Sequence, residues 1–270
     1  MVRKRLLLAL LIVCTACLAC ATNPFTGKNE LMLISEEQEI ELGRKYAPEI
    51  EKQMGGRIPD PLIQSYIDRV GRSIVQVSHR PDLKFHFLAV QHKSINALAL
   101  PGGHIYVTRG MLENLQSEAE LAGILAHEIA HVVARDVGNA MSRQIGLDLL
   151  LSATTSKSTS PRVLTVAQLA GQIITLRFSR QDEREADLAG LDYLVAAGYN
   201  PYAMVEALQM LLNTSRARPP EFLSTHPSPE NRIAYLQRRI RAKNYNLTGA
   251  AIIGRDRYHS AVLARLSNPG

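Results

Sequence analysis

The sequence predicts an α+β domain, mainly α, in which a small antiparallel sheet packs on one long apolar helix. Three observations carry this. Capping signals followed by helical spacing occur at Ser35, Asp60 and Ser117. Between 83 and 109 the apolar period shortens to that of strands. After 117 the pattern returns to helical. At 270 residues, 46% hydrophobic and 21% charged, the chain is long enough for one sizeable core, and one main domain is expected.

The first residues stand apart. "MVRKR" is a basic head, and "LLLALLIVCTACLA" is an apolar run of 14 residues, shorter than the roughly 20 a membrane span needs. Residues 1–19 therefore read as a secretion signal. Cys14, Cys17 and Cys20 are the 3 cysteines of the chain, so cleavage before Cys20 leaves one, at the new N-terminus, and no internal disulfide. The placement resembles a bacterial lipoprotein signal with Cys20 as the lipidated residue, although Cys17 stands where that pattern usually has Leu. Plain secretion without lipid is the alternative. Ala21 in place of Asp resembles the rule that sorts lipoproteins to the outer membrane, so the expected location is the bacterial periplasm, anchored to the outer membrane through Cys20. Removal of Arg3, Lys4 and Arg5 takes 31 basic residues to 28 against 25 acidic, a net +3, which is no footprint for nucleic acid.

Residues 20–34 read as a lipidated tether. Ser35 with Gln38 forms a capping box and opens the first helix; Gly55, Gly56 and Pro59 break it. Asp60 before Pro61 is a second start, and "LIQSYIDRVGRSIVQV" carries helical spacing to about Val77. "LKFHFLAV", "SINALAL" and "HIYVTRG" are the strands. Ser117 with Glu120 opens a helix over 118–136. "SATTSKSTSP" at 152–161 is polar and of low complexity, a mobile loop by composition. Helices are expected over 163–177, 181–197 and 201–214, with Gly198 as a stop and Asn200–Pro201 as a restart, then from Ser228–Pro229 to 243. The domain is set at 35–250, followed by a tail helix within 251–270.

"LAHEIAH" at 125–131 places three ionisable groups in the apolar 118–136 helix. Residues four apart share a helix face, so His127 and His131 can address one ion, with Glu128 beside it to handle a water. Unpaired, such groups would cost several kcal/mol each to bury, and a cation removes that cost. Catalytic zinc usually has three protein ligands. The metzincin extension is absent, since Ala134 and Val137 stand where its Gly and third His belong. "SRQDEREADLAGLDYL" offers Glu183 and Asp187 on one helix face with Ala186 and Gly190, whose small side chains permit close approach, while Glu185 points elsewhere. On periodicity alone this acidic pair reads equally well as a solvated face.

"HEIAH", "EREAD" some fifty residues on, "NALALPGGHIYVTRG" before and "HPSPENR" after together resemble the gluzincin-type zinc metallopeptidase family of HtpX, LoiP and BepA, over roughly residues 22–243. Within that family the chain resembles the LoiP-like periplasmic lipoproteins. The resemblance implies a zincin-like domain holding one Zn2+ per chain, with His127, His131 and Glu183 as ligands and Glu128 as catalytic base. Asp187 then matches the aspartate that orients a ligand histidine and has been assigned as a proton donor. The chain lacks the long apolar spans of integral-membrane members and the C-terminal helical repeats of BepA.

Peptide-bond hydrolysis is the implied reaction. His226 and Arg232, the ends of "HPSPENR", are candidates for stabilising the oxyanion; His226 is alternatively a zinc ligand of a resting state. The segment from Asn96 to Gly110, above all Asn96, Ala97, Leu98, Ala99, Leu100, Pro101, Gly102 and Gly103, is either a core hairpin or the edge on which an extended substrate adds as a strand, and the resemblance favours the edge. Expected partners are unfolded or extended proteins, within quality control of envelope proteins, and the envelope assembly machinery. Two rivals are weighed: a non-catalytic lipoprotein chaperone or assembly factor with a structural zinc, for which Glu128 would be unnecessary, and a peptidase for prenylated or membrane-embedded substrates, for which the chain offers no transmembrane chamber.

Overall fold

The computed structural model describes residues 20–154, 172–215, 220–227, 229–243, 245 and 251–267. The expected signal at 1–19, residues 155–161 of the expected loop and 163–171 of the helix expected after it lie outside the described residues. So does Ser228.

Helix α1 (Glu36–Gln53) is capped by Ser35 through a reciprocal box with Gln38. Asp60 accepts from the Leu62 and Ile63 N–H groups to open α2 (Pro61–Val75), which buries Ile63, Ile67, Val70 and Ile74. Three strands follow, β3 (His86–Val90), β4 (Ala97–Leu100) and β5 (His104–Thr108), after a short N-terminal pair, β1 (Cys20–Thr22) and β2 (Asn29–Leu31).

The three-stranded sheet departs from the expected antiparallel arrangement. Its order is β3-β5-β4; β4 and β5 are antiparallel, but β3 and β5 run parallel. The tight turn Pro101–Gly103, with Gly102 and Gly103 at φ 74° and 91°, fixes the β4–β5 hairpin. Strand β5, buried from Ile105 to Thr108, takes the centre, and β3, whose burial alternates, takes an edge. Residues 91–96 therefore carry the chain past the central position before β4 begins.

Helix α4 (Glu118–Ala134) is the axis of the molecule, with every residue buried. Ser117 accepts from the Glu120 N–H, while the Glu120 carboxylate accepts from Gln116 N–H, a capping box shifted by one residue. Around α4 lie α2, one face of the sheet, α6 (Arg180–Ala196) and α7 (Tyr202–Thr214). Helix α6 comes close at Gly190, where a Cβ would stand 3.0 Å from the Ala126 carbonyl; α7 does so at Gly123, 3.1 Å from Met204 Cα. The other face of the sheet packs on α1 through Tyr46, Ile50, Leu98, Leu100 and Tyr106. The remaining helices are α3 (Arg109–Asn114), α5 (Asp136–Thr154), α8 (Phe222–Thr225), α9 (Pro229–Lys243), α10 (Arg255–Tyr258) and, after a π turn at His259–Leu263, α11 (Ala264–Ser267).

Both ends of the described chain differ from expectation. Residues 20–34, expected as a tether, form the β1–β2 hairpin docked on α5 and α6. Buried Asn23 donates to Glu185 at 3.2 Å, and the Leu33 N–H donates to Ser142 Oγ at 2.9 Å. A chain whose polar groups find such partners gains by docking. The expected tail helix is part of the core: Tyr258, Val262 and Leu266 are buried in the main cluster. The carbonyls of Gly254 and Ile253 accept the first N–H groups of α4. No described helix is long and apolar enough to cross a membrane.

Candidate metal centre

One turn of α4 separates His127 from His131, and their Nε2 atoms face each other at 3.1 Å. Glu183, in the first turn of α6, reaches across the close contact at Gly190. Its Oε1 lies 3.5 Å from His131 Nε2 and its Oε2 3.6 Å from His127 Nε2. His226, just beyond α8, closes the group: its Nδ1 is 2.7 Å from Glu183 Oε1 and 3.2 Å from His127 Nε2. All four side chains are buried.

A tetrahedral zinc with bonds of about 2.0–2.1 Å sets its ligand atoms about 3.3 Å apart. The separations of 2.7–3.6 Å bracket that value, and three imidazoles with one carboxylate suit this borderline cation. The residues present therefore fit zinc.

Each α4 imidazole turns its other nitrogen to a carboxylate. His127 Nδ1 lies 3.0 Å from Asp187 Oδ1, one turn along α6 from Glu183. His131 Nδ1 lies 2.7 Å from Asp136 Oδ2. Buried Arg232 of α9 bonds both Asp187 oxygens, at 2.7 and 2.8 Å. Its Nη1 stands 2.7 Å from Glu183 Oε2 as an ion pair without hydrogen-bond geometry. The Tyr235 hydroxyl also donates to Asp187. Phe178 stacks on His131 and Phe222 on His226, with centroids 4.0 and 4.2 Å apart.

These contacts set the charges. Burial, joined by the charge of Arg232, pushes His127 down to about 3, so the ring is neutral. Burial opposes ionisation of Asp187, but Arg232 outweighs it and holds this carboxyl well below the usual range. Against burial, His226 and Arg232 do the same for Glu183. Burial disfavours a charged His131, yet its bonds to Asp136 and Glu183 win and push it up.

Glu128 is different. It is fully buried, and neither carboxylate oxygen has a hydrogen-bond partner among the described residues. Its nearest ionic neighbour is His226 Nε2, 3.7 Å from Oε1. Burial pushes its carboxyl up.

Of the residues singled out from sequence, His127, His131, Glu183, Glu128, Asp187, His226 and Arg232 thus converge on one point. Arg232 is committed to Asp187 and Glu183 rather than free beside Glu128. The segment Asn96–Gly103 forms β4 and its turn, and the N–H of Phe222 donates to the Ile95 carbonyl, joining that strand to the His226 segment. Cys20 lies in β1. Asp136 was not foreseen. Had α4 continued through 136 as expected, Asp136 would lie about 140° around the helix from His131. The helix instead ends at Ala134 with Arg135 in the left-handed region, a conformation Arg does not advertise.

The profile of peptidase family M48 matches residues 61–240. The chain is 33% identical over 227 residues to the beta-barrel assembly-enhancing protease of Escherichia coli (strain K12), covering 79% of this chain and 46% of that protein. It is 31% identical over 175 residues to the mitochondrial metalloendopeptidase OMA1 of Arabidopsis thaliana, covering 65% and 36%. Against the OMA1 of Schizosaccharomyces pombe (strain 972 / ATCC 24843) it is 29% identical over 220 residues, covering 73% and 61%. The chain spans about half the length of the first of these relatives.

Proposed function

Since the chain belongs to peptidase family M48, we propose that it is a zinc-dependent endopeptidase acting on unfolded or misassembled proteins of the bacterial envelope. The observation that carries the activity is the orphaned carboxylate of Glu128 beside four convergent donors. A buried carboxyl without partners costs several kcal/mol, and a purely structural metal site has no use for it. It is suited to take a proton from a water and pass it to a leaving amine.

His127, His131 and Glu183 would hold the ion. When bound, zinc supplies a Lewis acid for a peptide carbonyl and lowers the pKa of a water toward about 7. Asp187 fixes the Nδ1–H tautomer of His127, and Arg232 in turn fixes Asp187. His226 would add a fourth donor to the ion and stands against Glu128, a closed, resting arrangement from which His226 would swing away to admit water and substrate.

The substrate adds as a strand to β4. The β3 edge is blocked: the Gln64 amide bonds the Ala89 N–H and carbonyl, and the Ile58 N–H donates to the same carbonyl. Among the described residues, no backbone group pairs with the outer edge of Ala97–Leu100. Recognition through backbone suits extended chains of varied sequence. Secretion, lipidation at Cys20 and an outer-membrane location belong to the same proposal, as does work alongside envelope assembly machinery; the Escherichia coli relative is named for enhancing beta-barrel assembly.

The test is digestion of casein by the purified chain. Cleavage should stop with chelator, return with zinc, and be lost in Glu128→Gln although zinc stays bound. Retained cleavage in Glu128→Gln sinks the assignment.

A further inference from the structure

Resting on the zinc-site reading above, we infer that Asp136 is a positioning residue for the metal centre, holding His131 in its ligand orientation, and that the left-handed turn at Arg135, in which contacts to α1 hold the arginine, delivers it there. Asp187 serves His127 from a separate helix; Asp136 gives His131 the equivalent support from just past the end of the same helix, five residues on. Its Oδ2 lies 2.7 Å from His131 Nδ1, with both side chains buried. An acceptor at Nδ1 keeps the proton there, leaves Nε2 free for the ion and fixes the ring plane, and such outer partners are typically worth 10- to 100-fold in metal affinity (roughly).

How the carboxylate arrives there is unusual. Arg135 has φ 62° and ψ 33°, and among the described residues it is the one non-glycine with positive φ. That conformation ends α4, reverses the chain and starts α5 at Asp136, so the carboxylate returns onto the last turn of α4 instead of pointing away. An Arg there is strained, and its side chain is tied down. Nε donates to Glu39 Oε1 at 3.1 Å, and Nη2 donates to the Ile34 carbonyl at 2.8 Å. Glu39 is itself buried in α1. Gly138 leaves room for it, since a Cβ there would stand 1.8 Å from Glu39 Oε1. A line of contacts thus runs from α1 through Glu39, Arg135 and Asp136 to His131.

The experiment measures Zn2+ affinity of the full chain by competition with a chromophoric chelator, and the d–d spectrum of the Co2+-loaded protein. Asp136→Asn should bind zinc about 10- to 100-fold more weakly and shift the cobalt bands. Excess zinc should restore casein cleavage to Asp136→Asn but not to Glu128→Gln. Arg135→Gly, free to adopt the left-handed turn, should keep zinc affinity within about threefold, whereas Arg135→Val should lose it. Zinc affinity and cobalt spectrum like wild type in Asp136→Asn would overturn the inference, as would equal affinities in the two Arg135 variants. If Asp136→Asn fails to fold, the Arg135 pair decides. If the wild-type chain itself takes up no zinc, the zinc-site reading fails, and that result is distinct from both others.

Discussion

Replacing Ala99 by proline tests the docking edge at a single atom. The Thr108 N–H donates to the Asn96 carbonyl, so Asn96 and Thr108 face each other as a bonded pair, and in an antiparallel ladder such pairs alternate. With Leu98 opposite Tyr106 and Leu100 opposite His104, the inward-bonded residues of β4 are 96, 98 and 100. Ala97 and Ala99 therefore point their N–H and C=O groups outward. Ala99→Pro removes one outward donor and no bond to β5, and proline is tolerated at such an edge position. A docked peptide would keep a carbonyl without its donor, a cost of about 1–3 kcal/mol. That corresponds to a fall of roughly 5- to 150-fold in kcat/KM. Casein or peptide cleavage is the assay, with zinc content and far-UV circular dichroism as controls expected to match wild type. Leu98→Pro, whose N–H points at β5, should lose the fold instead. Wild-type cleavage by a folded, zinc-loaded Ala99→Pro would refute edge docking.

Other outcomes follow from the same geometry. His226→Ala should raise proteolysis by the ratio of closed to open enzyme once zinc is resupplied; unchanged or lower rates would remove the resting-state ligand. Burial pushes His104 down to about 4, below its unfolded value of about 6.5. The unfolded chain then binds the extra proton first, so stability present above about pH 6.5 is lost as pH falls toward 4, and His104→Gln should flatten that slope in denaturant titrations. Gly190→Val meets the Ala126 carbonyl and should cost about 1–3 kcal/mol, and by parting α6 from α4 it should weaken zinc binding as well. Zinc at about 1,000 times its Kd should add about 4 kcal/mol of stability, read as a melting temperature that drops with chelator.

Local signals with short reach were legible. Ser35, Asp60 and Ser117 announced their helices because a cap needs only a side chain and an N–H a few residues away. His127, His131 and Glu128 were readable because a helix turns a four-residue spacing into one face. Glu183 and Asp187 were half-legible: their spacing gave a shared face, but the Gly190 contact that aims it at α4 is tertiary. The parallel β3–β5 pair was missed because the passage of residues 91–96 to the far side of β5 carries no local signal. Asp136 was missed because one residue in the left-handed region redirects the chain, and Arg135 adopts it only through partners a hundred positions away.

The docking edge and the resting site meet at one carbonyl. Ile95, in the bend two residues before Ala97, has its carbonyl already taken by the Phe222 N–H at 3.2 Å. Phe222 stacks on His226, which stands between the ligand cluster and Glu128. On the proposed docking, a peptide running along β4 in register with Ala97 and Ala99 reaches the Ile95 carbonyl at its next step and competes with Phe222 for it. The bond displaced is worth about 0.5–1.5 kcal/mol, less than two or more new ladder bonds return. Occupying the edge therefore loosens the segment that holds His226, and the proposed site opens toward Glu128 where a chain has come to be cut.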